Sequence, residues 1–220
     1  MKQLSRIAFA LMLAAAFSLP PATASELAPH RAEYKVKISV VSGQLNTELK
    51  ATDTGYIATH VIKPTGLSRM ITHGTMSVSS TFKADADGVK PVTYHAIDTI
   101  GDDPETHISF DWNTNEASGT VGDEDVLLHL DGIAHDSVSI QYALMDDLIN
   151  GEPDNTYVLF DVDKMRVAEV RNVGTKQVKT KAGQFEAVGI QHQKQGSSRV
   201  TTLWCARELG YLPVIIEQHR

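Results

Sequence analysis

Apolar and polar residues alternate along most of this chain with a period of two. Segments 34–41 and 107–112 place apolar residues at every second position, and segment 45–51 alternates in the same way with Thr47 among Leu45, Leu49 and Ala51. This pattern is typical of half-buried antiparallel strands. Turn-forming pairs such as Asp87-Gly88 and Asp131-Gly132 separate the runs. The regular spacing predicts roughly eleven or twelve strands in a large curled sheet, sandwich or barrel.

The closing segment Arg199–Glu217 contains two apolar, β-rich runs around a tight reversal at Arg207–Gly210. Its first run, 200–205, and segment 158–162 carry apolar residues on both faces. Strands of this kind are usually covered on both sides. We therefore expect the sheet's own curl, or a helix, to cover them.

One segment, Asp136–Asn150, departs from the strand pattern. Val138, Tyr142 and Met145 recur there at helical spacing. Asp136 is a suitable N-terminal cap, and Asn150-Gly151 is a suitable end. We expect an amphipathic helix of about four turns that closes the open side of a curved sheet. A shorter helical turn is expected within Pro64–Thr72.

The N-terminus has the parts of a secretory signal peptide. Lys2 and Arg6 precede an apolar run at 7–19, and Ala22-Thr23-Ala24 forms a small-residue cleavage site. The apolar run is too short to be a typical membrane helix. We predict that residues 1–24 are a signal peptide and that residues 25–220 form a single β-rich periplasmic domain, with no stable membrane insertion after cleavage.

Charge and cysteine content limit the possible functions further. The chain has 27 acidic and 20 basic residues, and its formal net charge is −7. An acidic protein is poorly suited to nonspecific binding of nucleic acid. Cys205 is the single cysteine, so no intramolecular disulfide is possible, and we interpret it as a buried structural residue.

No catalytic or cofactor-binding motif is recognisable. The nine histidines show no HExxH or Cys/His metal spacing, and no GxSxG or phosphate-binding glycine loop occurs. The histidines have two interpretations: they converge on a site in space, or they lie scattered on polar strand faces. We favour the second and predict no enzyme activity, no cofactor and no metal.

Several motifs resemble one exported bacterial family, domain of unknown function 3108. They are Pro64–Arg69, Phe110-Asp111-Trp112, the hairpin Lys181–Phe185 and the closing Thr202-Leu203-Trp204 with Leu209–Val214. The opening Leu27–Tyr34 is also similar to domain of unknown function 1849, although this chain lacks that family's pair of cysteines. These resemblances imply a periplasmic address, an envelope-related role and a curled β-spiral akin to lipoprotein-carrier folds.

The predicted fold class is mainly β: a large curled antiparallel sheet, as a β-spiral or open half-barrel, with one packed α-helix. Its concave face either is filled by aromatic side chains or holds an apolar ligand. For the second case, we nominate Arg69, Trp112, Trp204 and Tyr211 as ligand-binding residues. The expected function is noncatalytic support of cell-envelope integrity, by binding a lipid, a lipoprotein-like ligand or an envelope protein. The alternatives are a periplasmic interaction scaffold with an exposed strand edge and an envelope hydrolase.

Overall fold

The computed structural model describes residues 27–38, 41–101, 103–151, 153–161 and 164–219. The predicted signal peptide, residues 1–24, lies outside this part of the chain. Among the described residues, no helix is long and apolar enough to cross a membrane.

The described residues contain fourteen strands, somewhat more than the alternation predicts. The additional ones include short or polar strands with a weak apolar pattern. The strands are β1 (His30–Ile38), β2 (Val41–Thr52), β3 (Gly55–Pro64), β4 (Met76–Asp85), β5 (Gly88–Asp98), β6 (Thr106–Asp111), β7 (Glu116–Val121), β8 (Glu124–His129), β9 (Ala134–His135), β10 (Thr156–Asp161), β11 (Lys164–Lys179), β12 (Gln184–Lys194), β13 (Val200–Ala206) and β14 (Leu212–His219).

The strands form two sheets. The first is an antiparallel meander of eight strands in chain order, from β1 to β8. The second has six strands in the order β14-β13-β12-β11-β10-β9, and only its β9–β10 pair is parallel. The predicted class is confirmed: the described residues are mainly β, with a large antiparallel sheet that does not close and one α-helix.

The helix α1 (Ser139–Asn150) connects β9 to β10 within the second sheet and packs against β4 and β5 of the first sheet. It begins three residues later than predicted, because Asp136–Val138 forms the capping turn. The Asp136 carboxylate accepts the backbone N–H groups of Val138 and Ser139 at 2.8 Å each. This is the capping role that the sequence predicts for Asp136.

One hydrophobic core joins the helix to both sheets. Leu49 and Phe82 from the first sheet, Tyr142 from α1, and Ile190 and Cys205 from the second sheet are all buried in it. A smaller cluster around Ile108, Phe110, Leu130 and Phe160 fills the other end of the first sheet. Burial of Cys205 confirms its predicted structural position.

One further contact joins the first strand to the last. The Tyr34 hydroxyl in β1 donates to the backbone carbonyl oxygen of Pro213 in β14 at 2.6 Å, so the first and last strands are neighbours.

The predicted short helical turn is a 3₁₀ segment, Gly66–Met70. The reversal at Arg207–Gly210 is also confirmed, with Gly210 in the left-handed conformation at φ 63°.

Candidate binding cleft

A cleft of about 200 Å³ lies where β1–β3, the start of α1 and the second sheet meet. Ile216, at its β14 side, is 44% exposed, which indicates that the cleft opens to solvent there. The first sheet contributes Tyr34, Leu45, Thr47 and His60 to the lining. The helix region contributes Ser137, Ile140, Gln141 and Leu144, and the second sheet contributes His192, Leu203 and Ile216.

Polar groups are buried at the inner side of this cleft. His60 Nε2 is buried without a hydrogen-bond partner, and the same is true of the Tyr142 hydroxyl behind it. The two rings are 6.4 Å apart between centroids. Burial, helped by nearby His30, lowers the pKa of His60 to about 4, so this imidazole is neutral at pH 7. Buried polar atoms usually have a hydrogen-bond partner, and water commonly supplies one where the protein does not.

A second, larger cavity adjoins the cleft on the inner face of the second sheet. We call it the basic groove; it has a volume of about 410 Å³, and His192 lines both cavities. Its charged lining residues are Asp161, Arg166, Lys194 and Arg199.

The charges of the basic groove are unbalanced. Asp161 accepts from Arg166 Nε at 2.5 Å and from Lys194 Nζ at 3.0 Å. Although burial acts in the opposite direction, Lys194 and Arg166 hold the pKa of Asp161 below its usual value. Arg199 is the third cation of the same lining. Three cations facing one carboxylate make the basic groove a suitable surface for an anion.

Strand register explains how the apolar cleft leads into the basic groove. In β12 the residues at alternate positions, Ile190, His192 and Lys194, share the inner face. Ile190 pairs with Leu203, and His192 pairs with Thr201. The inner face therefore changes from apolar to polar to cationic along a single strand.

Trp204 lies on the other face of the second sheet. Its neighbours Leu203 and Cys205 point into the core. Its Nε1 donates to Glu217 Oε2 at 2.9 Å, and Lys176 Nζ is 3.6 Å from the ring centroid. A Cβ added at Gly189 would lie 2.7 Å from the ring, so this packing requires glycine.

The other three nominated residues are also away from the cleft. Trp112 Nε1 donates to the Pro91 carbonyl oxygen at 2.6 Å, beside the smaller core cluster. Tyr211 borders the main core at φ 59°, with the Arg207 guanidinium 5.9 Å from its ring. Arg69 is exposed, and its Nε donates to the Pro64 carbonyl oxygen at 3.3 Å.

The structure therefore does not bring Arg69, Trp112, Trp204 and Tyr211 together, and none of them lines the cleft. Their role in ligand binding stays a prediction. The cleft and groove residues are spread over several strands and share no motif in the sequence. The available signal was the change from apolar to basic at alternate positions 190, 192 and 194.

The described part of the chain is a mainly β fold whose two sheets and one α-helix surround a partly polar interior. The chain belongs to the family described as "Protein of unknown function (DUF3108)", whose model matches residues 31–220. A comparison with curated proteins finds no match.

A solved structure shows a similar fold. It is the "Beta-barrel-like Protein of Domain of Unknown Function DUF1849 from Brucella abortus", with a TM-score of 0.58 and 12% sequence identity. The similarity covers 88% of this chain and 92% of that chain. At this identity it shows the fold alone, which agrees with the resemblance found in the sequence.

Proposed function

We propose that this protein is a noncatalytic periplasmic protein that supports cell-envelope integrity by binding an amphiphile, such as a lipid or a lipoprotein-like ligand. The apolar end of the ligand would occupy the cleft, and its anionic head group would lie over Arg166, Lys194 and Arg199. The observation that carries this proposal is that the apolar cleft and the basic groove adjoin at His192, which lines both.

The dimensions favour partial insertion of the ligand. A volume of about 200 Å³ is below the roughly 300–1,000 Å³ of pockets that enclose a whole small molecule. The cleft suits the end of an acyl chain, and burial of each methylene there contributes about 0.8 kcal/mol. Six methylenes would contribute about 5 kcal/mol before the cost of ordering the chain.

The chemistry of the lining supports a binding role. The residues that line the cleft include two histidines but no Asp, Glu or Cys side chain. His60, His192 and Ser137 thus have no carboxylate beside them in this lining to orient a general base. The apolar end of the ligand would instead pack against Leu45, Ile140 and Leu203 in this lining.

Native mass spectrometry of protein purified from its own periplasm tests the proposal. We expect a copurified amphiphile with an anionic group. The Ile140→Trp variant fills the cleft and should reduce the bound fraction at least about tenfold. Leu127→Trp is the matched control, because Leu127 is 68% exposed on β8.

The head-group contact has its own test. Arg199→Glu should weaken binding of an anionic amphiphile such as lysophosphatidylglycerol, and high salt should weaken it in the wild type. Arg171 lies on the outer face of β11. Arg171→Glu should therefore leave both the affinity for the amphiphile and its salt dependence as they are in the wild type. A bare protein mass across several preparations, or equal ligand content in Ile140→Trp and the wild type, would refute the proposal.

A further inference from the structure

Three potential metal ligands converge on the outer face of the first sheet. His95 in β5 pairs directly with His107 in β6 in the antiparallel register. Their neighbours Tyr94 and Ile108 pack against the inner clusters, so the two imidazoles lie on the outer face. Glu105 is two positions before His107, and its side chain reaches the same face.

The two imidazoles are arranged around one carboxylate oxygen. His95 Nε2 and His107 Nε2 each lie 2.9 Å from Glu105 Oε1. The rings stack with their centroids 3.9 Å apart and an interplanar angle of 17°. Because both Nε2 atoms are close to the same oxygen, they point toward one position, and all three ligand atoms lie within 4.8 Å of one another.

We propose that His95, Glu105 and His107 form a surface binding site for a late first-row divalent metal ion, with Zn²⁺ as the ion to test. The proposal is independent of the amphiphile function, because the cluster is on the opposite face of the sheet from the cleft. It replaces the sequence-based interpretation of these two histidines as scattered polar residues.

The donor set and spacing suit this ion. Zn²⁺ binds imidazole nitrogen and carboxylate oxygen at about 2.0–2.2 Å, which separates tetrahedral ligands by roughly 3.3 Å. The two nitrogen–oxygen distances of 2.9 Å therefore need to widen by only a few tenths of an ångström. Imidazole donors favour Zn²⁺, Cu²⁺ and Ni²⁺ over Mg²⁺ or Ca²⁺.

The backbone holds the ligands in place before any ion binds. The Glu105 carbonyl oxygen accepts the Gly122 N–H at 2.7 Å. His95 and His107 are fixed by the β5–β6 pairing. Three protein ligands leave at least one coordination position for water or another molecule, as in open zinc sites.

Isothermal titration of the whole protein, without a polyhistidine tag, with ZnCl₂ tests this site. We expect one saturable ion per chain, with affinity falling in acid because the ligands must lose their protons. Glu105→Gln and His107→Ala should each weaken Zn²⁺ binding by more than about tenfold, since even changes around metal ligands cost 10–100-fold.

His129→Ala is the matched control. His129 is also exposed beside a carboxylate, with Nε2 3.7 Å from Asp131 Oδ1, but it is not part of the cluster. Its removal should leave Zn²⁺ affinity within about twofold of the wild type. Imidazole NMR signals of His95 and His107, and not of His129, should shift with Zn²⁺.

Because all three ligands are at least partly exposed, the variants should keep the wild-type circular dichroism and melting temperature in metal-free buffer. Equal Zn²⁺ affinity in the wild type, Glu105→Gln and His107→Ala would overturn the proposal. The absence of saturable binding by the wild type would also overturn it and leave the cluster as a hydrogen-bonded triad.

Discussion

Replacement of Asp136 by alanine should strongly destabilise the protein, because this carboxylate joins the start of α1 to the first sheet. Asp136 is fully buried. One oxygen caps the helix by accepting the N–H groups of Val138 and Ser139. The other accepts the Ser80 hydroxyl in β4 at 2.6 Å.

The magnitude follows from these contacts. Loss of a helix N-terminal cap costs about 1 kcal/mol, within a range of about 0.5–2. The Ser80 hydroxyl, which is 1% exposed, would lose its acceptor at a further cost of about 1–3 kcal/mol. We expect Asp136→Ala to lower the free energy of unfolding by about 2–5 kcal/mol. Asp136→Asn keeps one capping oxygen and should cost less.

The same residue predicts a pH dependence. Burial raises the pKa of Asp136, although its hydrogen bonds from Ser80, Ser139 and Val138 oppose the shift. A raised folded-state pKa means that the folded protein holds this proton more tightly than the unfolded chain does. The resulting stabilisation is complete below the unfolded pKa near 3.8 and is lost as pH rises through the folded-state pKa. Relative to the wild type, Asp136→Asn should therefore gain stability as pH rises above about 4.

Urea denaturation between pH 4 and pH 8, followed by circular dichroism, gives both results. A double-mutant cycle with Ser80→Ala should show that the two residues are coupled. A loss below about 0.5 kcal/mol in Asp136→Ala would refute the capping and bridging argument, since that is the usual effect of a surface substitution. The pKa argument would be refuted if the difference in stability between Asp136→Asn and the wild type did not change with pH.

Four further predictions concern buried groups. Tyr142→Phe removes a buried, unpaired hydroxyl and should leave the melting temperature unchanged or raised; a clear decrease would show that the hydroxyl has a partner. Met145→Asp places a charge at a position 3% exposed and should abolish cooperative unfolding seen by circular dichroism. Burial raises the pKa of Cys205 to about 12, so a thiol reagent at pH 8 should label it only after denaturation. Burial lowers the pKa of His135 to about 4. Between about pH 6.5 and pH 4 the unfolded chain therefore takes up a proton that the folded protein does not, so the free energy of unfolding falls as pH falls through this range. His135→Gln should make the acid side of the stability profile flatter.

The predictable part of the fold is the part with clear periodicity. Ile108 and Phe110 alternate with polar residues and are buried on one face of β6, as expected. The α1 prediction holds because Tyr142 and Met145 form a buried stripe after a good capping residue. The strand β7 is harder to predict, because Ala117 is its one fully buried apolar residue before Val121.

The cleft was much less predictable. It combines side chains from β1–β3, α1 and β12–β14, and alternation does not say which strands meet in space. Trp204 shows a second difficulty: where a strand is apolar on both faces, its sequence does not show which face points into the core. The small residue Gly189 on the neighbouring strand accommodates this ring on the outer side. In the same way, His95 and His107 meet through the register of β5 and β6, which spacing alone does not determine.

The hydrogen bond from Tyr34 to Pro213 has a consequence for the order of folding. It joins two residues that are 179 positions apart, so it closes nearly the whole chain into one loop. During synthesis β1 emerges first and β14 last, and Leu49 and Phe82 share a core with Leu203 and Leu212 of the final hairpin. The first sheet therefore has no complete cover for its apolar inner face until the last strand has arrived. Even without a disulfide, the two ends of the described chain depend on each other for a finished core.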